Sequence, residues 1–392
     1  MKTTVRVAGS LALAASVIAG SAGAATAEKA PDRAGVQQAL EQVVAASGIP
    51  GMVAEVRDGK KTWWGTAGVA DTKTGRKREK GERFRIGSAT KAFTATTVLL
   101  LAAEGKLSLD DTVEKWLPSL VDENRNDGSK ITVRMLLNQT SSLDNPYLFE
   151  PLNSIYDTPK FLKYRHRQWK PEQLVKHTLA KGPYKGRKPG EGWWYSNTNY
   201  YLAGLIVEKA TGKTLAHEMK RLIIRPLGLG STYMPGKNET KIRGSHPELY
   251  SKLSTTAKPE DKVYHLRDYN PSWGWAAGNI VSTTSDLSRF VNALLTGKLL
   301  PKKQQDEMWG HMVDTTGNLW IPNTHYGTGV FSQKLSCGVT TYGVAGYIQG
   351  TYTYLMASRD GKQMVAVNTN GDWNNAIGGA LGVIEAKLCA KK

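Results

Sequence analysis

The segment Ala92-Phe93-Thr94-Ala95-Thr96-Thr97-Val98-Leu99-Leu100-Leu101-Ala102-Ala103 is apolar on nearly every side of a helix. A helix without a polar face has to be covered all round, so it predicts the central helix of a large core, ended by Gly105. Ser88-Ala89-Thr90-Lys91 stands at its start. Residues three apart share a helix face, so the Ser88 hydroxyl and the Lys91 amine can meet. A serine alcohol is a poor nucleophile until a base takes its proton, and a desolvated lysine can be that base. The plain alternative is a chance spacing on a solvated helix, which the apolar surroundings of Lys91 oppose. The pair therefore predicts a protein that forms an acyl-enzyme.

A second group lies on a loop. Tyr195-Ser196-Asn197 follows Pro189-Gly190-Glu191-Gly192-Trp193-Trp194 and precedes a helix over residues 198–211. Alone, it reads as a packing tyrosine and a helix-capping asparagine. Beside Ser88 and Lys91 the balance reverses: a phenol can relay a proton to a leaving group, and an amide can hold a substrate carbonyl.

With these motifs in place the chain resembles the penicillin-recognising serine hydrolases, a group that includes actinomycete D-alanyl-D-alanine carboxypeptidases, class C β-lactamases and related esterases. Phe84-Arg85-Ile86-Gly87-Ser88, Glu104-Gly105-Lys106-Leu107-Ser108-Leu109-Asp110, Ile131-Thr132-Val133-Arg134-Met135-Leu136-Leu137 and Tyr195-Ser196-Asn197-Thr198-Asn199-Tyr200 all look like phrases of that family, in order along the chain. The resemblance implies Ser88 as nucleophile, Lys91 as base or its electrostatic helper, Tyr195 as proton shuttle and Asn197 as a substrate holder. It implies an oxyanion hole from the backbone N–H groups of Ser88 and Tyr347. Which of Lys91 and Tyr195 takes the first proton stays open. Ser272-Trp273-Gly274-Trp275-Ala276-Ala277-Gly278 resembles a segment bordering the active site, which makes Trp273 a substrate-binding candidate.

The third family motif is where the chain departs. The pattern there is His or Lys, then Thr or Ser, then Gly; here Val344-Ala345-Gly346 stands in place, followed by Tyr347. Ala345, Gly346 and Tyr347 are accordingly candidate substrate contacts. The carboxypeptidases also use an arginine shortly before a cysteine, and Phe331 occupies that place. Those groups serve a free substrate carboxylate, and each lost charged hydrogen bond is worth roughly 1.5–3 kcal/mol. Three readings follow. The site has moved to an ester or amide lacking that carboxylate; or Lys334 or another base rescues carboxypeptidase activity; or the protein is a catalytically weak relative that binds cell wall. Intact Ser88, Lys91, Tyr195 and Asn197 favour the first. Trp193, Trp194, Trp273, Trp275, Phe331 and Tyr347 are candidates to line such a pocket, although most of the eleven tryptophans are expected simply to pack the core.

Around this site the fold class expected is α/β of the α+β type. An antiparallel sheet is formed by both chain ends and flanked by helices, with a mainly helical inserted domain, as in β-lactamases and transpeptidases. Strands are expected at 51–57 and 61–66 around the Asp58-Gly59 turn, then at 326–331, 339–344, 351–357 and 363–368, with a last helix over 376–388. The division reads as residues 28–124 and 271–392 for the α/β domain and 125–270 for the helical one.

Residues 1–27 read as an export signal, with Lys2 and Arg6, an apolar stretch too short to span a bilayer, and Ala25-Thr26-Ala27 as a cleavage site. A secreted protein without a stable membrane anchor is expected, and a monomer. Removing Lys2 and Arg6 lowers the net charge of +18 by two. The remaining positive charge reads as a solvated surface, with attraction to an anionic cell-wall polymer as the functional alternative. No nucleic-acid-binding signature is present. Cys337 and Cys389 suit one disulfide in an oxidising compartment, worth about 4 kcal/mol on the chain-entropy model, against two free buried thiols. The resemblance itself favours the disulfide, since Leu335-Ser336-Cys337-Gly338 and Cys389 look like the paired segments of the actinomycete carboxypeptidases. There is no Gly-x-Ser-x-Gly elbow, no zinc spacing among the histidines, and no phosphate loop or dinucleotide fingerprint, so no metal and no cofactor is expected. The implied partner is a small-molecule or peptide acyl donor.

Overall fold

Two hairpin-forming strands near the start of the chain, β1 (Gly51–Asp58) and β2 (Lys61–Gly68), pair antiparallel across a turn at Gly59 and Lys60. Gly59 takes a φ of +58°, which a residue with a side chain adopts only with strain. The computed structural model describes residues 33–148, 150–254, 257–318 and 320–390, so the export-signal reading of residues 1–27 lies outside the described residues. Six further strands come from the other end: β3 (Val313–Asp314), β4 (Thr324–Tyr326), β5 (Phe331–Lys334), β6 (Thr340–Ile348), β7 (Thr351–Ala357) and β8 (Gln363–Thr369). Together they form one antiparallel sheet in the order β2-β1-β8-β7-β6-β5-β4-β3. The strands from the two ends meet between β1 and β8, one strand in from the β2 edge, where Met52 pairs with Thr369 and Asp58 with Gln363.

Strand alternation divides the sheet's side chains between two cores. Val365, Val367 and Met356 face helices α1 (Arg33–Ser47) and α5 (Ala376–Leu388), packing with Val36, Leu40, Val383 and Ile384. Met364, Ala366, Leu355 and Val344 face the opposite way, into the larger core around α2 (Thr90–Ala103). Every residue of α2 from Thr90 to Leu99 is buried, and Phe93 stacks on Phe290 of α4 (Thr284–Leu295) at 3.8 Å between ring centroids. Alongside α2 runs α3 (Asn197–Thr211). A Cβ at Gly204 of α3 would lie 2.8 Å from the Ala276 side chain and 2.9 Å from Trp275, so glycine lets α3 close on the short helix Trp275–Gly278. That approach brings α2, α3 and the Trp275–Gly278 turn around a single point.

The mixed α/β architecture with a sheet built from both ends agrees with the sequence reading. Three local expectations need correction. A continuous strand over 326–331 does not form: β4 stops at Tyr326, β5 starts at Phe331, and Gly327 to Val330 turn between them. The reason is close packing, since a Cβ at Gly329 would sit 2.7 Å from Ala95 Cβ and 2.9 Å from the Lys91 carbonyl. The cap of α3 is Ser196, whose hydroxyl accepts from the Thr198 N–H, while Asn197 is the first helical residue. Lys334 is exposed and pairs with Thr340, about 20 Å along β6 from Gly346 at the usual strand rise, so it cannot serve the cleft described below.

Cys337 and Cys389 are joined, with Cα atoms 5.8 Å apart, tying the β5–β6 turn to the end of α5. Beside the bridge the Ser336 N–H donates to Glu385 Oε1 at 2.7 Å. Among the described residues no helix is long and apolar enough to cross a membrane.

Candidate active site

Ser88 sits in a 3-10 turn, Gly87–Ala89, that leads directly into α2, and Lys91 lies in the first turn of that helix. Lys91 Nζ is 3.2 Å from Ser88 Oγ, 2.6 Å from Asn197 Oδ1 and 2.8 Å from the Ala277 carbonyl oxygen. The side chain is buried, and burial holds its pKa well below the ordinary lysine range. The three contacts fit a neutral amine. Two carbonyl oxygens take its two N–H groups, and its lone pair is left facing the serine hydroxyl.

Tyr195 and Asn197 arrive on the loop before α3. Gln139, in a left-handed conformation with φ of +67°, holds that loop: its Oε1 accepts from the Ser196 N–H at 2.9 Å and from Asn199 Nδ2 at 2.6 Å. The Ser196 hydroxyl donates to the Asp144 carbonyl at 2.7 Å. The Tyr195 ring lies 4.8 Å from Lys91 Nζ and stacks on Trp320 at 4.4 Å. Its ring is half-buried, but its hydroxyl is sealed from solvent and makes no well-aligned hydrogen bond. Burial pushes the phenol well above its ordinary pKa, with nearby Tyr326 acting the same way and the neighbouring Ser88 hydroxyl pulling against both. Both shifts act against the charged form of the group.

Strand β6 forms the opposite wall. A Cβ at Gly346 would lie 2.0 Å from the Ile86 carbonyl oxygen and 2.6 Å from the Ser88 nitrogen, so only glycine permits this approach. Gly87, with φ of +52°, would place its Cβ within 2.5 to 2.8 Å of the Tyr347 backbone. The backbones of Ser88 and Tyr347 thus stand on either side of one contact. Of the altered motif, Val344 is buried in the helix-side core, whereas Ala345 lines the cleft.

The cleft in front of Ser88 has a volume of about 860 Å³. Tyr195, Asn197, Trp273, Ala345, Gly346 and Tyr347 all line it, as the sequence reading expects. The other proposed aromatics do not. Trp193 packs against Trp320 and Tyr326, Trp194 stacks on Tyr184 at 3.5 Å, Trp275 packs against α3, and Phe331 lies buried against Trp320 and Tyr354. In their place stand Tyr147, Tyr156, Trp320, Tyr352 and Tyr354. These come from two short helices, a loop and strand β7, and sequence reasoning did not single them out. Among the described residues no lysine, arginine or histidine lines the cleft, and its only charged lining residue is Asp157. No group of three or more His, Cys, Asp or Glu side chains is placed to hold a metal among those residues.

Comparison with known proteins bears directly on this geometry. The family model described as Beta-lactamase matches residues 36–383. A D-stereospecific amidohydrolase from Streptomyces sp. superimposes with a TM-score of 0.83 at 41% identity, covering 92% of this chain and all of the other. A D-amino acid amidase from Ochrobactrum anthropi SV3, complexed with L-phenylalanine amide, gives a TM-score of 0.76 at 26% identity over 90% of this chain and 97% of the other. Esterase EstB of Burkholderia gladioli is 34% identical over 48% of this chain and 48% of its own length. The chain spans about half the length of the curated relatives it matches.

Proposed function

We propose, for a chain that belongs to the Beta-lactamase family and is a serine hydrolase of that family, that its acyl donors are small amides and esters of D-amino acids with no free carboxylate beyond the scissile bond. Ser88 Oγ attacks the substrate carbonyl carbon while its proton passes to Lys91 Nζ. The tetrahedral oxyanion is received between the backbone N–H groups of Ser88 and Tyr347. As the C–N or C–O bond breaks, the leaving amine or alcohol takes a proton through the Tyr195 hydroxyl, which is replenished from Lys91. Water or an amine then attacks the acyl-enzyme by the reverse path. Asn197 has its Oδ1 on Lys91, which leaves its NH₂ as the group that holds the acyl side.

The observation that carries this reading is the contrast between a complete Ser88–Lys91–Asn197 cluster and a cleft wall without a cation. An incoming carboxylate would lose water and gain no charged partner, a cost of several kcal/mol. The names of the amidohydrolase and amidase relatives favour D-amino-acyl donors. The Lys91 and Tyr195 shifts favour lysine as the first base, because a phenol raised above its ordinary pKa is a poor proton acceptor at neutral pH. Secretion, with residues 1–27 as signal, belongs to the same proposal.

Intact-mass analysis with an activated D-phenylalanine ester tests it. A covalent adduct is expected on the intact chain and none on Ser88→Ala. Rapid release of D-alanine from a peptide ending in D-Ala-D-Ala would overturn the substrate assignment.

A further inference from the structure

The far end of the cleft carries groups that the acyl-transfer steps leave unused. Gln349, in the turn between β6 and β7, is 4% exposed and lines the cleft. Its Nε2 donates to the Tyr156 carbonyl at 3.2 Å, which fixes the amide's orientation, because only the NH₂ end can serve a carbonyl. Its Oε1 is therefore turned the other way, buried and without a partner. The same hydrogen bond sets Gln349 beside Asp157, the next residue after Tyr156. Asp157 is half-buried and lines the cleft, and among the described residues no basic side chain lines it. Burial raises its pKa, with no compensating partner. Its charge also bears on the Tyr347 and Tyr352 phenols, which line the same cleft. Behind them Asp372 accepts from the Gly350 N–H at 2.8 Å, and burial pushes its pKa up to about 6.

A buried acceptor without a donor costs free energy, and so does a half-desolvated carboxylate without a cation. Both costs are removed by one kind of ligand group, a donor-only cation. We propose that Asp157 and the Gln349 side-chain carbonyl bind a primary ammonium, the free α-amino group of the acyl donor. The subsite rests on the D-amino-acyl reading of the cleft and adds what that reading lacks, a reason for the enzyme to prefer donors with an unblocked amine. It matches the rest of the wall: a cleft without cations excludes carboxylates, and one with an unpaired acid and an unpaired carbonyl accepts ammonium.

The test compares D-phenylalanine methyl ester with 3-phenylpropionate methyl ester, which differ only in the amine. Asp157→Asn is expected to raise KM for the amino ester by about ten- to a hundred-fold, the range of a lost charged hydrogen bond, with kcat nearly unchanged. KM for the deamino ester should stay as in the parent protein, and Asp157→Glu should recover part of the loss. Equal losses with both esters, or no loss with either, would overturn the proposal. So would a change confined to partition of the acyl-enzyme toward an added amine, since that would put the acceptor's ammonium in the subsite. Calorimetry on Ser88→Ala separates the subsite from the chemistry. D-Phenylalanine amide should bind, 3-phenylpropionamide should bind at least ten-fold more weakly, and the difference should vanish in Ser88→Ala/Asp157→Asn. Binding of the two amides with equal affinity overturns the subsite even if acylation at Ser88 is confirmed, and unequal binding supports it even if acylation is not found.

Discussion

The two ends of the cleft are built by opposite rules. At the Ser88 end the lysine amine has a neighbour for each position it can use: Lys91 meets Ser88, Asn197 and Ala277, and the loop carrying Asn197 is pinned through Gln139. At the Gln349 end an acceptor and a carboxylate are left without donors. A finished end has chemistry to perform on any bound carbonyl. An unfinished end waits for a ligand, and the ligand's chemistry can be read from what is missing. Between them lie Ala345, on the cleft wall, and the buried Val344.

The largest effect should come from breaking the finished end. Lys91→Met keeps length and apolar packing but removes the lone pair facing Ser88, and acylation by an activated ester, followed by stopped-flow, should fall by about 10⁴-fold or more. The intact protein sharpens the same point through pH. With Lys91 held well below its ordinary pKa by burial, its amine loses the proton at a pH below the ordinary lysine range. The rising limb of kcat/KM should therefore lie well below pH 10, fully developed above the lowered pKa and lost as pH falls through it. A limb at or above pH 10 would make Tyr195 the base instead.

Next in size is Gly346→Ala, at the contact between the two walls. The added methyl would meet the Ile86 carbonyl and the Ser88 nitrogen, so kcat for the D-phenylalanine ester should drop by about 10²–10³-fold, the scale of a lost oxyanion donor. A parent-like kcat would show that the close approach of β6 to Ser88 is irrelevant to turnover. A smaller effect is expected from Val344→Lys, which puts a cation beside the cleft wall. Val344 is 2% exposed and faces the helix core, so the variant should lose roughly 3 kcal/mol or more in denaturant unfolding and gain no D-Ala-D-Ala carboxypeptidase activity. Gain of that activity would mean that one residue, and not the whole wall, sets the substrate. Away from the cleft, Cys337→Ser with Cys389→Ser should cost about 2–4 kcal/mol in the same unfolding measurement and leave the kinetics of both esters alone.

The finished end was legible in the sequence because its parts are local. Ser88 and Lys91 are three residues apart on one helix, and Tyr195 and Asn197 share one turn, so spacing carries their geometry. The helix over 376–388 and the strands at 351–357 and 363–368 were legible for the same reason, through period and turn residues. The unfinished end was not. Tyr156, Asp157, Gln349 and Trp320 are brought together by tertiary packing alone, and no spacing relates residue 157 to residue 349. Phe331 and Trp194 were misplaced because an aromatic side chain looks alike in sequence whether it walls a cleft or fills a core. The broken strand after Tyr326 was missed because its cause, the approach of Gly329 to Lys91 and Ala95, is a contact between distant segments.

The seam between β1 and β8 has a consequence for how the chain comes into being. Synthesis runs from the amino end, so β1 and β2 are made before β8, which follows more than 290 residues later. Until residues 363–369 emerge, the hairpin has an open edge at β1 and α1 has no sheet to complete its core. Closing so long a loop is slow and entropically costly. The edge of the hairpin at β1 and the core under α1 are therefore completed only after residues 363–369 have been made.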